Sequence, residues 1–286
     1  MGTFKAAAIQ MRSGTDPEEN AAVFERMVRE AAAAGARYVQ TPEMTNAVVR
    51  DKSARASHFR SVEEDIVAAR AGALAAELSI HVHVGSNAIA LPDGRLANRA
   101  LVYTAGGALA ATYDKIHMFD VDLDRGESWR ESEAYAPGTE AVVVELPEAK
   151  VGLAICYDLR FPQLFRAEAL AGAEVLTAPA AFTRQTGEAH WHALMRARAI
   201  ENGAWMIAAA QGGVHQDGRE TYGHSIIIDP WGKVVADAGG AEPTIVYADI
   251  DTAASAAARA KIPNLKNARE FGVRTMGGAV PLRAAS

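Results

Sequence analysis

The chain alternates short apolar runs with longer stretches of mixed apolar and polar residues. Residues 4–11 form the first apolar run, and residues 16–19 (Asp-Pro-Glu-Glu) then supply a helix N-cap, a proline at the first helical position and first-turn acids. This pattern predicts a strand, a helix that ends near Ala34, and a second strand over 38–43 that ends on a carboxylate.

The same alternation continues along the chain, with glycine-containing turns between some of the strands. Gly106-Gly107 predicts a hairpin, and residues 229–232 (Asp-Pro-Trp-Gly) predict another turn. The pattern predicts further helices over about 62–78 and 162–171 and a longer one through 200–202. It predicts further strands over 80–86, 99–103, 109–113, 151–156, 174–179, 204–210, 222–229, 233–235 and 244–250.

Helices early and late in the chain, with hairpins between them, indicate two mixed sheets that are each covered on one face and packed against one another. We therefore predict an α/β fold, a four-layer αββα sandwich, over residues 1–265. The polar stretch 119–137 is predicted to be a long functional loop. Residues 266–286, which include Gly277-Gly278 and Pro281, are predicted to form a C-terminal arm or tail.

Composition and charge limit the partners of this fold. With 286 residues, 49% of them hydrophobic, the chain can bury one large core, and its net charge of -6 gives no basic surface for nucleic acid. No apolar segment approaches the length that spans a bilayer, and residues 1–12 lack the apolar region of a signal peptide. We therefore expect a cytoplasmic protein that binds neither nucleic acid nor membranes.

Cys156 is the only cysteine, so it can neither close a disulfide within the chain nor join a multi-cysteine zinc site. It could fill the core as a small hydrophobic residue or act as a nucleophile. An apolar run meets Cys156 and passes at once into the polar residues 157–160 (Tyr-Asp-Leu-Arg). Because α/β enzymes keep their chemistry at strand ends, this position favours the nucleophile.

Two further ionisable residues, Glu43 and Lys115, also end predicted strands. A thiol, a carboxylate and an ammonium group suit acyl transfer from an amide. Cys156 would attack the carbonyl carbon and Glu43 would move the proton, while Lys115 and the backbone N–H of Tyr157 would hold the oxyanion. The alternative is that Glu43 and Lys115 are two surface charges among many.

The chain resembles the nitrilase superfamily of carbon–nitrogen hydrolases from about residue 7 to residue 263. The matching stretches are residues 42–43, 113–120, 152–162 and 222–225. The resemblance implies a Glu-Lys-Cys triad on Glu43, Lys115 and Cys156, a thioester intermediate, and no metal or organic cofactor. It also implies that Glu131, in a Glu-Ser pair ahead of Pro137-Gly138, orients Lys115 and helps to place the substrate.

Within this superfamily, residues 187–192, 196–201, 208–211 and 229–232 most resemble the deaminated glutathione amidases. The resemblance implies cleavage of a small linear amide that carries a carboxylate, with release of ammonia, in a homodimer or higher homo-oligomer. An omega-amidase acting on α-ketoglutaramate, a nitrilase and an N-carbamoyl amino acid amidohydrolase are the alternatives. A scaffold protein is disfavoured, because binding alone gives no reason to keep a thiol, two carboxylates and an ammonium group together.

Three further residues are predicted to contact the substrate. Arg160 stands close enough to Cys156 to clamp a substrate carboxylate by two parallel hydrogen bonds. A structural ion pair between Arg160 and Asp158 or another acid is the alternative. Phe182, as a pocket wall, and His190 complete this set.

Histidines suggest one rival mechanism and no metal site. A papain-type pair would join Cys156 to a histidine base, with His117, His190 and His224 as the candidates. His81 and His83 share one face of a predicted strand, but no third ligand accompanies them. His190 and His192 lie two apart on a predicted helix and do not face each other.

Overall fold

The computed structural model describes residues 2–50, 58–123 and 128–276. Its α-helices are α1 Pro17–Ala33, α2 Ile66–Leu78, α3 Pro162–Leu170, α4 Arg184–Asn202 and α5 Thr252–Lys261. Its strands are β1 Thr3–Gln10, β2 Tyr38–Gln40, β3 His81–Ala90, β4 Leu96–Tyr103, β5 Leu109–Asp114, β6 Asp120–Asp122, β7 Ser128–Arg130, β8 Val142–Glu145, β9 Lys150–Leu153, β10 Val175–Thr177, β11 Trp205–Ala208, β12 Gly212–Val214, β13 Glu220–Tyr222, β14 Ile226–Ile228, β15 Val234–Asp237 and β16 Thr244–Asp251.

Most of these strands belong to two six-stranded sheets. The first sheet has the order β16-β1-β2-β3-β4-β5, and the second has the order β15-β14-β11-β10-β9-β8. In the first sheet β1, β2 and β3 run parallel and the flanking pairs are antiparallel. In the second sheet β9, β10 and β11 run parallel and the flanking pairs are antiparallel. Both sheets are mixed, as the sequence predicts.

The alternation of side chains along β1 shows how the layers form. Ala8 lies in a buried cluster with Val151 of the second sheet, whereas its neighbour Ile9 lies in another cluster with Phe24 of α1 and Leu74 of α2. Successive side chains of a strand point to opposite faces. The first sheet therefore packs on the second sheet with one face and on α1 and α2 with the other. Helices α3 and α4 pack on strands β9, β10 and β11, which completes the predicted αββα sandwich.

Some predicted elements are wrong in extent. The strand predicted over 151–156 already ends at Leu153, and α5 is not among the predicted helices. The strand predicted over 222–229 is divided into β13 and β14, because Gly223 and His224 have φ angles of 74° and 55° and leave the extended conformation.

The predicted functional loop over 119–137 is more ordered than its composition indicates. It contains the antiparallel hairpin of β6 and β7 and a 3₁₀ helix, Glu131–Glu133, while residues 124–127 lie outside the described ranges. Residues 266–276 contain no helix or strand and expose Phe271 and Val273 almost fully. The rest of the predicted tail, 277–286, lies outside the described residues, so the boundary at residue 265 stays a prediction. No helix in the described ranges is long and apolar enough to cross a membrane.

The buried carboxyl group of Glu168 makes the stability of the fold depend on pH. Glu168 of α3 is buried, and neither of its carboxyl oxygens has a hydrogen-bond partner among the described residues. Burial, and then the charge of Asp158, raise the pKa of Glu168 well above its usual value. Because the pKa of this carboxyl group is higher in the folded chain than in the unfolded chain, the fold loses stability as the pH rises from the unfolded-state pKa to the folded-state pKa.

We therefore expect Glu168→Gln to raise the melting temperature relative to the native chain at about pH 8, with the difference shrinking towards zero near pH 4.5. The neutral amide of glutamine mimics the protonated carboxylic acid, so the variant and the native chain differ in stability only at pH values where Glu168 ionises. Thermal unfolding at several pH values measures this, with the exposed Glu140→Gln as the matched control. A pH-independent difference would contradict a titrating Glu168.

Candidate active site

Three segments bring the predicted catalytic side chains together across the sandwich. Glu43 lies three residues after β2, Lys115 directly follows β5, and Cys156 lies three residues after β9. Strands β2 and β5 belong to the first sheet and β9 belongs to the second. All three side chains line one cavity of about 390 Å³, with Glu131 in the same wall.

The backbone turns sharply at the cysteine. Cys156 begins a 3₁₀ helix with a φ of 50°, a left-handed conformation that costs a non-glycine residue of order 1–3 kcal/mol. The N–H of Cys156 donates to the carbonyl of Pro179 at 2.9 Å, and the Asp158 carboxylate accepts the N–H of Ile155 at 2.9 Å. These bonds hold the turn that presents the sulfur to the cavity.

A glycine permits the close approach of the two sheets beside this turn. A Cβ on Gly85 would lie 2.0 Å from the carbonyl oxygen of Thr41 and 2.5 Å from the Cβ of Pro179. Thr41 and Pro42 lead to Glu43, and Pro179 accepts the bond from Cys156. A side chain at position 85 would therefore push the carboxylate and the thiol apart.

Glu43 is held by donors on both carboxylate oxygens. Its Oε1 accepts from Lys115 Nζ at 3.1 Å and from Asn98 Nδ2 at 2.8 Å, and its Oε2 accepts from the N–H of Ala181 at 2.8 Å. Burial alone would raise the pKa of Glu43, but the charge of Lys115 and a hydrogen bond with Cys156 hold it below its usual value. Glu43 is therefore an ionised carboxylate next to the thiol.

Lys115 is fully buried between two carboxylates. Besides its bond to Glu43, its ammonium donates to both oxygens of Glu131, at 3.0 and 2.8 Å. Burial would lower the pKa of Lys115, but the charges of Glu131 and Glu43 outweigh it and raise this pKa well above the usual value. Lys115 therefore stays a cation over the whole physiological range.

The thiol of Cys156 is neutral in this environment. Burial, and then the charge of Glu43, raise its pKa well above the ordinary thiol value, and the cation of Lys115 offsets only part of that increase. As the predicted nucleophile, Cys156 would need a base at neutral pH, and the neighbouring Glu43 carboxylate is in the right protonation state to be that base.

Asn98 is a site residue that the sequence reasoning missed. It lies in β4, is fully buried, and its Nδ2 donates to Glu43 at 2.8 Å and to Glu131 at 3.0 Å. Glu131 also accepts the N–H of Phe119 at 2.7 Å. Asn98 therefore fixes the spacing of the two carboxylates around Lys115. The only sequence signal was a polar residue within an apolar strand.

The predicted substrate-binding residues do not all reach the cavity. Tyr157 and Phe182 line it, whereas Arg160 and His190 do not. Both terminal nitrogens of Arg160 lie 3.3 Å from His190 Nδ1, and its guanidinium lies 5.5 Å from the centre of the Phe182 ring. Arg160 and His190 thus form a pair behind the cavity wall, and their contact with substrate stays a prediction.

The alternative ion pair between Arg160 and Asp158 is not formed. The Asp158 carboxylate accepts from the hydroxyl of Tyr113 at 2.7 Å and meets the Nδ1 of His117 at 2.6 Å, in addition to its bond with Ile155. Asp158 therefore supports the turn at the cysteine and the segment that carries Lys115.

The histidines of the rival mechanism are occupied elsewhere. His117 bonds to Asp158 and stacks on Phe161 at 3.5 Å between ring centres. His190 bonds to Arg160, and His224 bonds to Asp237 at 2.9 Å. None of the three lines the cavity that holds Cys156. The geometry thus favours Glu43 over a histidine as the base.

The outer part of the cavity contains an arginine on an aromatic ring. The guanidinium of Arg219 lies 4.6 Å from the centre of the Trp129 ring, and both residues line the cavity. Its Nε is buried with no hydrogen-bond partner among the described residues, and its ion pair with Asp217 is long, at 3.7 Å. The sequence offered no signal for Arg219, because it lies 63 residues after Cys156 in the hairpin of β12 and β13.

Fold and site together define an α/β hydrolytic enzyme built on a four-layer αββα sandwich. Comparison with known proteins identifies the family. The profile of the carbon–nitrogen hydrolase family matches residues 5–260, so the chain belongs to that family, and the predicted enzyme class is confirmed.

Individual relatives are similar in sequence to this protein over almost its whole length. A deaminated glutathione amidase of Yersinia enterocolitica is 37% identical, over 94% of this chain and 94% of that protein. An omega-amidase of Mus musculus is 36% identical, over 94% of this chain and 96% of that protein. The crystal structure of Nit3 from Saccharomyces cerevisiae, a member of the nitrilase superfamily, is 28% identical with a TM-score of 0.82, over 91% of this chain and 94% of that one. The predicted superfamily is thus confirmed.

Proposed function

We propose that this enzyme hydrolyses the carbon–nitrogen bond of a small linear amide that carries a carboxylate, through a thioester on Cys156. The observation that carries the proposal is the buried network in which Lys115 bonds to both Glu43 and Glu131 beside a neutral thiol in one cavity. No metal or organic cofactor takes part in this scheme.

Acylation begins when Glu43 accepts the thiol proton as the sulfur bonds to the carbonyl carbon. The carbonyl oxygen becomes an oxyanion, which the ammonium of Lys115 and the N–H of Tyr157 stabilise. The N–H of Cys156 is occupied by Pro179, so the next backbone donor along the turn is that of Tyr157. The carbon–nitrogen bond then breaks, and Glu43 returns the proton to the departing nitrogen.

Hydrolysis of the thioester repeats these roles with water. Glu43 accepts a proton from the water as its oxygen attacks the thioester carbon, and collapse of the intermediate breaks the carbon–sulfur bond and restores the thiol. The sum is amide plus water giving carboxylic acid plus amine or ammonia. Glu131 and Asn98 act as positioning residues, because both bond to the reacting groups or their partners.

The physiological substrate we propose is a deaminated glutathione, with α-ketoglutaramate, a nitrile or an N-carbamoyl amino acid as the alternatives. The two named relatives favour the first two. Their leaving groups differ, because the amide nitrogen of deaminated glutathione belongs to cysteinylglycine, whereas α-ketoglutaramate releases ammonia. The release of ammonia predicted from sequence therefore applies to primary amides.

A product screen tests this proposal. Purified enzyme is incubated with each of the four substrate classes, and α-ketoglutarate, ammonia and free cysteinylglycine are measured separately. We expect the highest kcat/KM for deaminated glutathione. No turnover of any amide would contradict the function, and a preference for a nitrile would move the enzyme to the nitrilase alternative.

Arg219 is our candidate for recognition of the substrate carboxylate. It has an unpartnered Nε, a guanidinium stacked on Trp129, and a place in the cavity that holds Cys156. A guanidinium that keeps free donors suits a carboxylate ligand.

We expect Arg219→Gln to raise KM for succinamate by about 10- to 100-fold, since a hydrogen bond to a charged group contributes about 1.5–3 kcal/mol. Butyramide has the same chain length without the carboxylate, and its kcat/KM should change by less than about threefold. Arg219→Lys should restore part of the succinamate affinity, and the exposed Arg184→Ala serves as the control. Equal losses on both substrates would indicate a structural role instead.

The compartment and the assembly also stay proposals. A cytoplasmic location is proposed from the single thiol, which suits a reducing compartment. Exposed apolar residues on and near α4, including Ile200 and Trp231, fit a homodimer or a higher homo-oligomer.

A further inference from the structure

A second polar cluster lies outside the catalytic cavity, where three separate segments meet. His192 comes from α4, His224 from the turn between β13 and β14, and Asp237 from the end of β15. The Asp237 carboxylate bonds to His192 Nε2 at 2.8 Å through Oδ2 and to His224 Nδ1 at 2.9 Å through Oδ1. One ligand atom from each residue lies within 4.8 Å of the others.

The backbone holds His224 in an unusual conformation that directs its ring to this cluster. Its φ is 55°, in the left-handed region that few non-glycine residues adopt. Its carbonyl accepts from Trp191 Nε1 at 2.9 Å, and its N–H donates to the carbonyl of Gly240 at 3.0 Å. Its ring stacks on Tyr222 at 4.4 Å. The position of this imidazole is therefore set before any ligand binds.

A backbone hydrogen bond also holds the carboxylate of Asp237 in place. The Oδ1 atom of Asp237 also accepts the N–H of Gly239 at 2.8 Å. A carboxylate thus faces two imidazole nitrogens, and all three side chains are at least partly open to solvent.

We propose that His192, His224 and Asp237 form a binding site for a divalent transition metal ion, of which Zn²⁺ is the best fit. Two imidazole nitrogens and one carboxylate oxygen are ligands of zinc and of its neighbours in the first transition row, whereas Mg²⁺ and Ca²⁺ prefer oxygen alone. Water from the open side supplies the fourth ligand.

The geometry requires only small side-chain movements to accept the ion. Zinc bonds of about 2.0–2.1 Å to nitrogen and oxygen place tetrahedral ligand atoms roughly 3.3 Å apart. The Asp237 oxygens, at 2.8 and 2.9 Å from the imidazole nitrogens, must therefore move slightly away, while the ligand atoms already lie within 4.8 Å of one another. On binding, each imidazole keeps a proton on its other ring nitrogen, and the ion replaces the two hydrogen bonds to Asp237.

The site would connect α4 to the second sheet close to the catalytic cavity. Trp191, next to His192, bonds to the carbonyl of His224 and packs edge-on against Phe182 at 5.0 Å between ring centres. Phe182 lines the cavity of Cys156. The sequence pattern indicates no metal site, because His190 is the only other histidine on the helix of His192, and the other two ligands lie 32 and 45 positions away.

Metal titration of tag-free, chelator-treated protein tests the proposal. Zn²⁺ is added to the native chain and to Cys156→Ala, so that binding to the catalytic thiol is separated from binding to the cluster. We expect one Zn²⁺ per chain in Cys156→Ala by calorimetry, a raised melting temperature, and an absorption spectrum of tetrahedral Co²⁺ when cobalt replaces zinc.

Three variants in the Cys156→Ala background assign the ligands. His192→Ala, His224→Ala and Asp237→Asn should each weaken Zn²⁺ binding by at least about tenfold, since even residues outside the first coordination sphere give 10- to 100-fold effects. His190→Ala, on the same helix, should bind Zn²⁺ as before. Melting temperatures without metal show whether each variant folds. The proposal is overturned if Zn²⁺ does not bind Cys156→Ala, or if folded His192→Ala and Asp237→Asn bind it with unchanged affinity.

Discussion

Replacement of Cys156 with alanine is expected to abolish amide hydrolysis, with a fall in kcat of at least about 10⁴-fold, because no other atom in the cavity can form the thioester. Cys156→Ser should be almost as inactive, since a hydroxyl group loses its proton far less readily than a thiol. Product formation under substrate saturation measures the loss. A variant with more than about a hundredth of the native rate would remove Cys156 from the mechanism.

Binding should survive in the same variant. The alanine leaves Lys115, Glu131 and Arg219 in place, so substrate should still raise the melting temperature of Cys156→Ala. The shift should disappear when Arg219→Gln is added. A melting temperature of Cys156→Ala far below that of the native chain would show instead that the cysteine supports the fold, and the kinetic loss would then carry less weight.

The sequence was sufficient to locate those site residues that belong to local sequence patterns. Cys156 was favoured as a nucleophile because an apolar run changes to polar residues at that point, and Glu43 and Lys115 became candidates because both end predicted strands, but the family resemblance assigned the triad. Glu131 was assigned only through the family resemblance. The alternation of short apolar runs and helices was also sufficient for the layered fold, because each sheet needs a cover of helices on one face.

The remaining residues of the site depend on contacts between segments that are distant in sequence. Asn98 joins Glu43 and Glu131 across 55 and 33 positions of sequence, and its only local signal is a polar residue within an apolar strand. Arg160 follows Cys156 closely in sequence, yet its guanidinium bonds to His190 and does not line the cavity. Sequence proximity therefore does not tell which residues of this short 3₁₀ helix line the cavity, and contact of Arg160 with substrate stays a prediction.

The protonation states explain how the site works at neutral pH. Glu43 and Cys156 share one proton, and the buried Lys115 cation lowers the pKa of the carboxylate while burial keeps the thiol protonated. In the proposed mechanism the resting enzyme thus holds a charged base and a neutral nucleophile, and the proton moves as the sulfur bonds to the carbonyl carbon. Glu131 balances the cation, so that the three charged side chains carry one net negative charge.

Glu43→Gln is expected to lower kcat/KM by about 10²- to 10⁴-fold, the usual contribution of a general base. The amide oxygen can still accept from Lys115 and Asn98, but its NH₂ group then faces the N–H of Ala181, and the variant cannot take the thiol proton. The exposed Glu140→Gln is the matched control for the same chemical change. Retention of more than about a tenth of native activity would argue against Glu43 as the base.

The pH profile separates a lost base from a disturbed site. In the native enzyme kcat/KM should rise with pH as Glu43 ionises, with a limb below the usual glutamate range because the pKa of Glu43 is lowered. Glu43→Gln should lack this limb, and its residual rate should increase with pH as the thiol ionises without help, since the thiolate is then the only nucleophile. An acid limb that persists in Glu43→Gln would assign the base to another residue, and a histidine would become the candidate if the limb lay near pH 6.5.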